Sequence, residues 1–261
     1  MLRKTPEGWA HLINRAIWAW GGLSAYPLDM HAVVRQFASA YVPTVKLDIV
    51  LENLDSLEGA MILARDERSA TILLNDSQRY ESRRNFTLAH EFGHFLCHRS
   101  VARQLRCLPD DIGRPHPLSG VAEGEANTFA SQILLPPQLV RAAAERPFKF
   151  ANIRQLTEQT GASLQASAIT CVNLTGRLAG FAVVRDGFVR WGRASAKGLS
   201  GGLFFKSAMQ VPDGSIAAFE GGERRELDEN VSYEWNGSRL VETGFYSSTL
   251  DECYLFLDGG S

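Results

Sequence analysis

His90, Glu91 and His94 read His-Glu-Phe-Gly-His inside a stretch, residues 83–98, whose apolar positions give it one long buried side at helical spacing. On a helix, positions i and i+4 lie one above the other on the same face. Both imidazoles therefore approach one point and can grip one ion there. Zinc takes imidazole nitrogen at about 2.0–2.1 Å, so this pair supplies half of a tetrahedral shell. Glu91, next to His90, can reach the position that protein ligands leave open and act there as a general base. A fold built on this segment must bury one long helix and bring a further ligand to it from elsewhere.

Structural zinc sites close all four positions, usually with cysteine, whereas catalytic sites use three protein ligands and water. The four cysteines, Cys97, Cys107, Cys171 and Cys253, contain no Cys-x-x-Cys pair, so a catalytic site is expected. His98 continues the register of His94. Positions i and i+8 are about 12 Å apart along a helix, which keeps His98 from sharing an ion with His90. Its expected role is at the helix end, bonded to nearby backbone or packed on a second helix. Residues 97 and 100 are cysteine and serine, so the three-histidine HExxHxxGxxH spacing is absent.

The third ligand is sought in the acidic helical stretch 122–135, at Glu123 or Glu125, which cannot face the same way. Glu123 shares its face with Asn127, a side chain able to orient a metal-binding histidine by hydrogen bonding. Glu125 shares a face with Phe129, which suits a flank or an ion-pair partner. The spacing favours Glu123. Residues 99–120, with Pro109, Pro115 and Pro117, read as a long loop between the two helices. His116 in that loop is a candidate oxyanion donor, ahead of Tyr80 and Arg84.

Around this site the pattern is α+β. Helices are expected over 9–19 and 29–38, then strands over 45–50, 59–64 and 70–75 with a turn at 66–69. A small sheet packed on helices makes residues 1–148 the main domain. Pro136-Pro137 ends the second site helix, and another helix is expected over 138–145. Residues 149–176 read as a helix-turn-helix-like unit, turning at Gly161-Ala162-Ser163. Its second helix has almost no basic side chains, so a structural or partner-docking role is expected and direct DNA binding is not. Residues 177–261 form a β-rich C-terminal domain without an assigned role. Turns are expected at Asp186-Gly187 and Asn236-Gly237, and a flexible glycine-rich connection at 198–202.

A net charge of -2 lacks the basic excess of a nucleic-acid binder. No secretory signal pattern and no long apolar span are present, and four cysteines without a Cys-x-x-Cys pair suit a reducing compartment. A cytoplasmic protein is expected, with no membrane partner. Nothing in the pattern indicates an oligomeric state.

Residues 84–98, then Glu123-Gly124-Glu125-Ala126-Asn127-Thr128-Phe129-Ala130 and Leu134-Leu135-Pro136-Pro137, resemble the ImmA/IrrE family of zinc metallo-endopeptidases. Ile72-Leu73-Leu74-Asn75 also fits that family's pattern, and the likeness extends over roughly residues 28–175. The family usually has Met-Pro where this chain has Pro136-Pro137, a departure at the helix exit. The resemblance implies a minimal gluzincin-like zincin core holding Zn2+ through His90, His94 and Glu123. It implies Glu91 as the catalytic base and Asn127 as the support of a ligand. Members are often cytoplasmic and encoded with helix-turn-helix repressors, which some of them cleave under stress. The implied function is therefore a zinc-dependent endopeptidase acting on such a repressor. The competing class is a non-proteolytic, zinc-containing regulatory or toxin-antitoxin partner-binding protein.

Overall fold

The computed structural model describes residues 4–100, 104–107, 120–218 and 227–260. The chain divides into two compact units, residues 1–136 with 159–163, and residues 137–158 with 164–261.

The first unit opens with helix α1 (Pro6–Gly21), where the Thr5 side chain accepts from the backbone N–H of Gly8. Helix α2 (Met30–Tyr41) starts the same way, with Asp29 accepting from Ala32. Its Met30, Val33, Val34 and Phe37 are buried, as the spacing predicts. Strands β1 (Lys46–Glu52), β2 (Gly59–Leu63), β3 (Ser69–Asn75) and β4 (Gln104–Cys107) form a sheet in the order β1-β3-β2-β4. β1 runs parallel to β3, while β2 is antiparallel to both β3 and β4. β4 falls inside the stretch read as loop. Four residues carry too little alternation to register as a strand; the pairing with β2 makes them one.

Helix α3 (Glu81–Cys97) packs against β2, β3 and α2, and helix α4 (Gly120–Leu134) lies across α3 and α1. Every residue of α3 from Thr87 to Cys97 is buried. A helix covered on all sides belongs to a core, yet this one carries His90, Glu91 and His94 at 0% exposure. Asn14 of α1 donates to the Gln132 carbonyl at 2.7 Å and accepts from the Tyr26 hydroxyl at 3.4 Å, which ties α1 to the end of α4.

The second unit contains helices α5 (Pro137–Ala144) and α7 (Leu164–Leu174) and all but the end of α6 (Phe150–Thr160). Its antiparallel sheet comprises β5 (Ala179–Arg185), β6 (Phe188–Ala194), β7 (Leu227–Trp235), β8 (Ser238–Ser247) and β9 (Glu252–Asp258), in the order β6-β5-β9-β8-β7. The β5–β6 turn has Asp186 and Gly187 at φ 52° and 76°, and the β7–β8 turn has Asn236 and Gly237 at 50° and 81°. Paired positive φ values are what a two-residue hairpin needs, and the Asp-Gly and Asn-Gly signals mark both. Phe150 stacks on Phe245, its N–H donates to Thr243 Oγ1 at 2.8 Å, and Arg177 grips Asp258 through two 3.0 Å bonds. Among the described residues no helix is long and apolar enough to cross a membrane.

The glycine-rich segment 198–202 is not a flexible connection. Residues 196–200 form a short helix, α8, capped by Ser195, whose hydroxyl accepts from Gly198 N–H at 2.9 Å. A Cβ at Gly198 would lie 2.8 Å from the Ala179 carbonyl oxygen, so glycine serves close packing there.

Glu242 of β8 is fully buried and accepts from the Ser215 hydroxyl at 3.0 Å and the Ile216 N–H at 2.9 Å. Burial raises its carboxyl from 4.5 to about 7, with the two hydrogen bonds opposing. The folded chain therefore keeps a proton that the unfolded chain releases, so this group's contribution to stability is complete below pH 4.5 and is lost as pH rises to about 7. Glu242→Gln is expected to raise the melting temperature by several degrees at pH 8 and to change it much less at pH 5. Equal shifts at both pH values, read by thermal melts, would refute this account.

Candidate metal centre

Three side chains meet where α3 faces α4. His90 Nε2 lies 3.0 Å from His94 Nε2 and 3.1 Å from Glu123 Oε2, and His94 Nε2 lies 3.2 Å from Glu123 Oε1. Bonds of about 2.0–2.1 Å at tetrahedral angles place ligand atoms about 3.3–3.4 Å apart, so the triangle matches such a centre to a few tenths of an ångström. Among the described residues this is the only group of three or more histidine, cysteine or acidic side chains close enough to share an ion. Two imidazoles and a carboxylate suit a divalent metal, and three protein groups leave a position for chemistry. Among the described residues no cysteine joins this group, and burial pushes the Cys171 and Cys253 thiols up to about 12.

The helices approach closely at Gly93 and Ala126. A Cβ on Gly93 would stand 3.1 Å from Phe129 Cδ1 and 3.3 Å from Ala126 Cα. Glu123 and Asn127 flank Ala126 on α4 and are carried by this contact onto the α3 histidines. Asn127 Oδ1 lies 3.1 Å from His90 Nδ1. An amide oxygen only accepts, so His90 donates from Nδ1, which leaves Nε2 as the nitrogen that a bound metal would take in place of its hydrogen bond to Glu123. Glu125 points away and meets His98 Nε2 at 2.7 Å. The structure thus gathers His90, His94 and Glu123, and leaves Glu125 and His98 outside the triangle.

The ionisation states suit the donors. Burial raises the Glu123 carboxyl, but hydrogen bonds from His90 and His94 outweigh it and bring the group down to about 2. Burial lowers His94 to about 4 against the opposing Glu123 hydrogen bond, and His90 and His98 add to the lowering. A carboxylate and a neutral imidazole are the forms that bind metal.

Glu91 is packed against β2. A Cβ on Gly59 would fall 2.9 Å from Glu91 Oε1 and 2.7 Å from Thr87 Cγ2, so only glycine leaves this carboxylate its place. A polar clasp holds the two elements together. Gln78 donates to Thr87 Oγ1 at 3.1 Å and to the Glu58 carbonyl and carboxylate, and Arg83 pairs with Glu58 at 3.2 Å. Periodicity shows Gly59 only as the start of a strand, and no local signal marks its contact with Glu91. His116 lies outside the described residues. Tyr80 and Arg84 sit at the exposed start of α3, about 15 and 9 Å before His90 along the axis.

Residues 45–171 match the family model described as the IrrE N-terminal-like domain, Peptidase_M78. The N-terminal region matches the IrrE/ImmA-like peptidases. Within it, His90-Glu91-x-x-His94 together with Glu123 is the ligand cluster typical of zinc metallopeptidases. The match spans both site helices, and none of the curated proteins compared with the chain matches it.

Gly93→Val is expected to push α3 and α4 apart and spread the triangle. Zinc affinity, read by competition with a chromophoric chelator, should fall by roughly tenfold or more while helical content is kept. Unchanged affinity would show that this helix contact does not set the ligand spacing.

Proposed function

We propose that this protein is a zinc-dependent endopeptidase that cleaves a helix-turn-helix transcriptional repressor. The observation that carries the chemistry is the buried His90, His94 and Glu123 triangle with Glu91 beside it. In this reading His90, His94 and Glu123 hold Zn2+. The metal supplies Lewis acidity, making water nucleophilic near neutral pH and polarising the scissile carbonyl. Glu91 is the catalytic residue that takes the proton from the attacking water. As the water oxygen bonds to the carbonyl carbon and the C–N bond breaks, the same carboxyl hands that proton to the departing amine. Asn127 keeps His90 in the tautomer that presents Nε2. The packed surroundings of Glu91 exclude bulk water, which strengthens its interaction with the reacting groups.

The repressor as substrate is supported by the likeness of residues 45–171 to IrrE-like domains, and the cytoplasm as location by a sequence of four cysteines without a Cys-x-x-Cys pair. Residues 1–148 would carry the catalysis and residues 149–176 a helical docking or structural unit. The β-rich residues 177–261 would recognise substrate or a signal.

The test is incubation with a helix-turn-helix repressor, taken from a gene neighbouring that of this protein, with and without a chelator. Glu91→Gln should lower cleavage about 10²–10⁴-fold and leave zinc binding intact. Cleavage by this variant at the wild-type rate would sink the proposal. A repressor that is bound but left uncut by the wild type would make this chain a zinc-containing regulatory partner. Gly59→Ala should keep zinc affinity near wild type and reduce kcat about 10²-fold, since a displacement near 1 Å at the reacting groups costs that much. A Gly59→Ala enzyme with full kcat would show that β2 does not position Glu91.

A further inference from the structure

We infer that His98 and Glu125 form a hydrogen-bonded relay that positions His94 as a metal ligand. The inference rests on the zinc reading of the His90, His94 and Glu123 triangle. His94 directs Nε2 into that triangle, and its Nδ1 lies 2.9 Å from Nδ1 of His98. On its other side, His98 Nε2 lies 2.7 Å from Glu125 Oε2.

These atoms allow one consistent assignment. A His94 that offers the Nε2 lone pair to a metal carries its proton on Nδ1 and must donate there. The facing Nδ1 of His98 then has to accept, so His98 carries its proton on Nε2. That proton is donated to the Glu125 carboxylate, which accepts. Each hydrogen bond has one donor and one acceptor, and the chain ends on an anion. The pattern parallels the His90–Asn127 pair but is longer, and it makes the His94 nitrogen a stronger donor.

The fold builds the relay from a helix end. His98 is the C-cap of α3, its backbone N–H donates to the His94 carbonyl at 2.8 Å, and its ring sits one turn beyond His94 at 2% exposure. Glu125 comes from α4, two residues after Glu123 and on a different face. It therefore reaches around the triangle instead of into it. The Glu125 end borders an open cavity of about 430 Å³ also lined by Pro6, Cys97, His98 and Val121. Its side chain is 37% exposed, so it can be changed without cutting into the core.

The roles assigned here are positioning roles, because neither residue touches the triangle's metal point. The experiment compares the full-length wild type with Glu125→Ala, Glu125→Gln and His98→Gln. The expected loss of zinc affinity is about 10–100-fold for Glu125→Ala, and smaller for Glu125→Gln, which keeps an acceptor oxygen for His98. His98→Gln keeps an acceptor for His94 and should also fall between wild type and Glu125→Ala. Cobalt-substituted wild type and Glu125→Ala should differ in their visible spectra, because the His94 ligand changes basicity and angle. Nitrogen NMR of the zinc-loaded wild type should find His98 protonated on Nε2 and bare on Nδ1. A His98 protonated on Nδ1 overturns the relay, as does a Glu125→Ala protein that keeps wild-type zinc affinity and cobalt spectrum. A wild type that binds no zinc overturns the relay and the zinc reading together, whereas a zinc-binding wild type with an indifferent Glu125→Ala overturns the relay alone.

Discussion

Two imidazoles and a carboxylate converge in the dry interior of a small unit, and the rest of that unit is arranged to make this tolerable. An unpaired buried charge costs several kcal/mol, and an unsatisfied buried donor or acceptor about 1–3 kcal/mol. Glu123 meets this by bonding to both His90 and His94 and staying ionised. The close approach at Gly93 and Ala126 is what lets one carboxylate serve both rings. The sheet then closes the other side of α3, with Gly59 leaving room for Glu91.

The two histidines are held in different ways although they are one helical turn apart. His90 rests on a neutral amide of α4, and His94 on a second imidazole at the end of its own helix. Both arrangements leave Nε2 for the metal, but only the second ends on a carboxylate at a partly exposed surface. Glu91 differs from all of these groups. It is packed against Gly59 of β2, on a different element from the Asn127 and Glu125 that meet the histidines.

The second unit handles buried polar groups in another way. Asp258 is held by Arg177, and the Ser195 hydroxyl donates to the Arg177 carbonyl and accepts from the Gly198 N–H at the start of α8. Glu242 accepts from the Ser215 hydroxyl and the Ile216 N–H, and burial outweighs them and pushes its carboxyl up to about 7, whereas two imidazoles bring Glu123 down to about 2. The contrast shows that the partner, more than burial alone, decides which form of a buried carboxyl persists.

Much of this was legible in one dimension. The i, i+4 spacing of His90 and His94 implies a shared face, and the spacing of Glu123 and Asn127 points to the ligand and its neighbour on α4. Asp29 marks a helix start, and Asp186-Gly187 and Asn236-Gly237 mark hairpins, because these signals act within a few residues, whereas the Thr5 cap that starts α1 at Pro6 was not read. Contacts across elements left no such trace. The pairing of β4 with β2, the packing at Gly198, the place of Gly59 against Glu91 and the bond from His98 to Glu125 all depend on how closely separate backbones approach. The sequence by itself determined which side chains could bind a metal and which face would carry them. Only the tertiary structure set Glu125 against His98, fixed the distances within the triangle and placed Glu91 beside Gly59. Periodicity sets the direction of a side chain from its own helix, but the distance between two helices is set by the small residues packed between them.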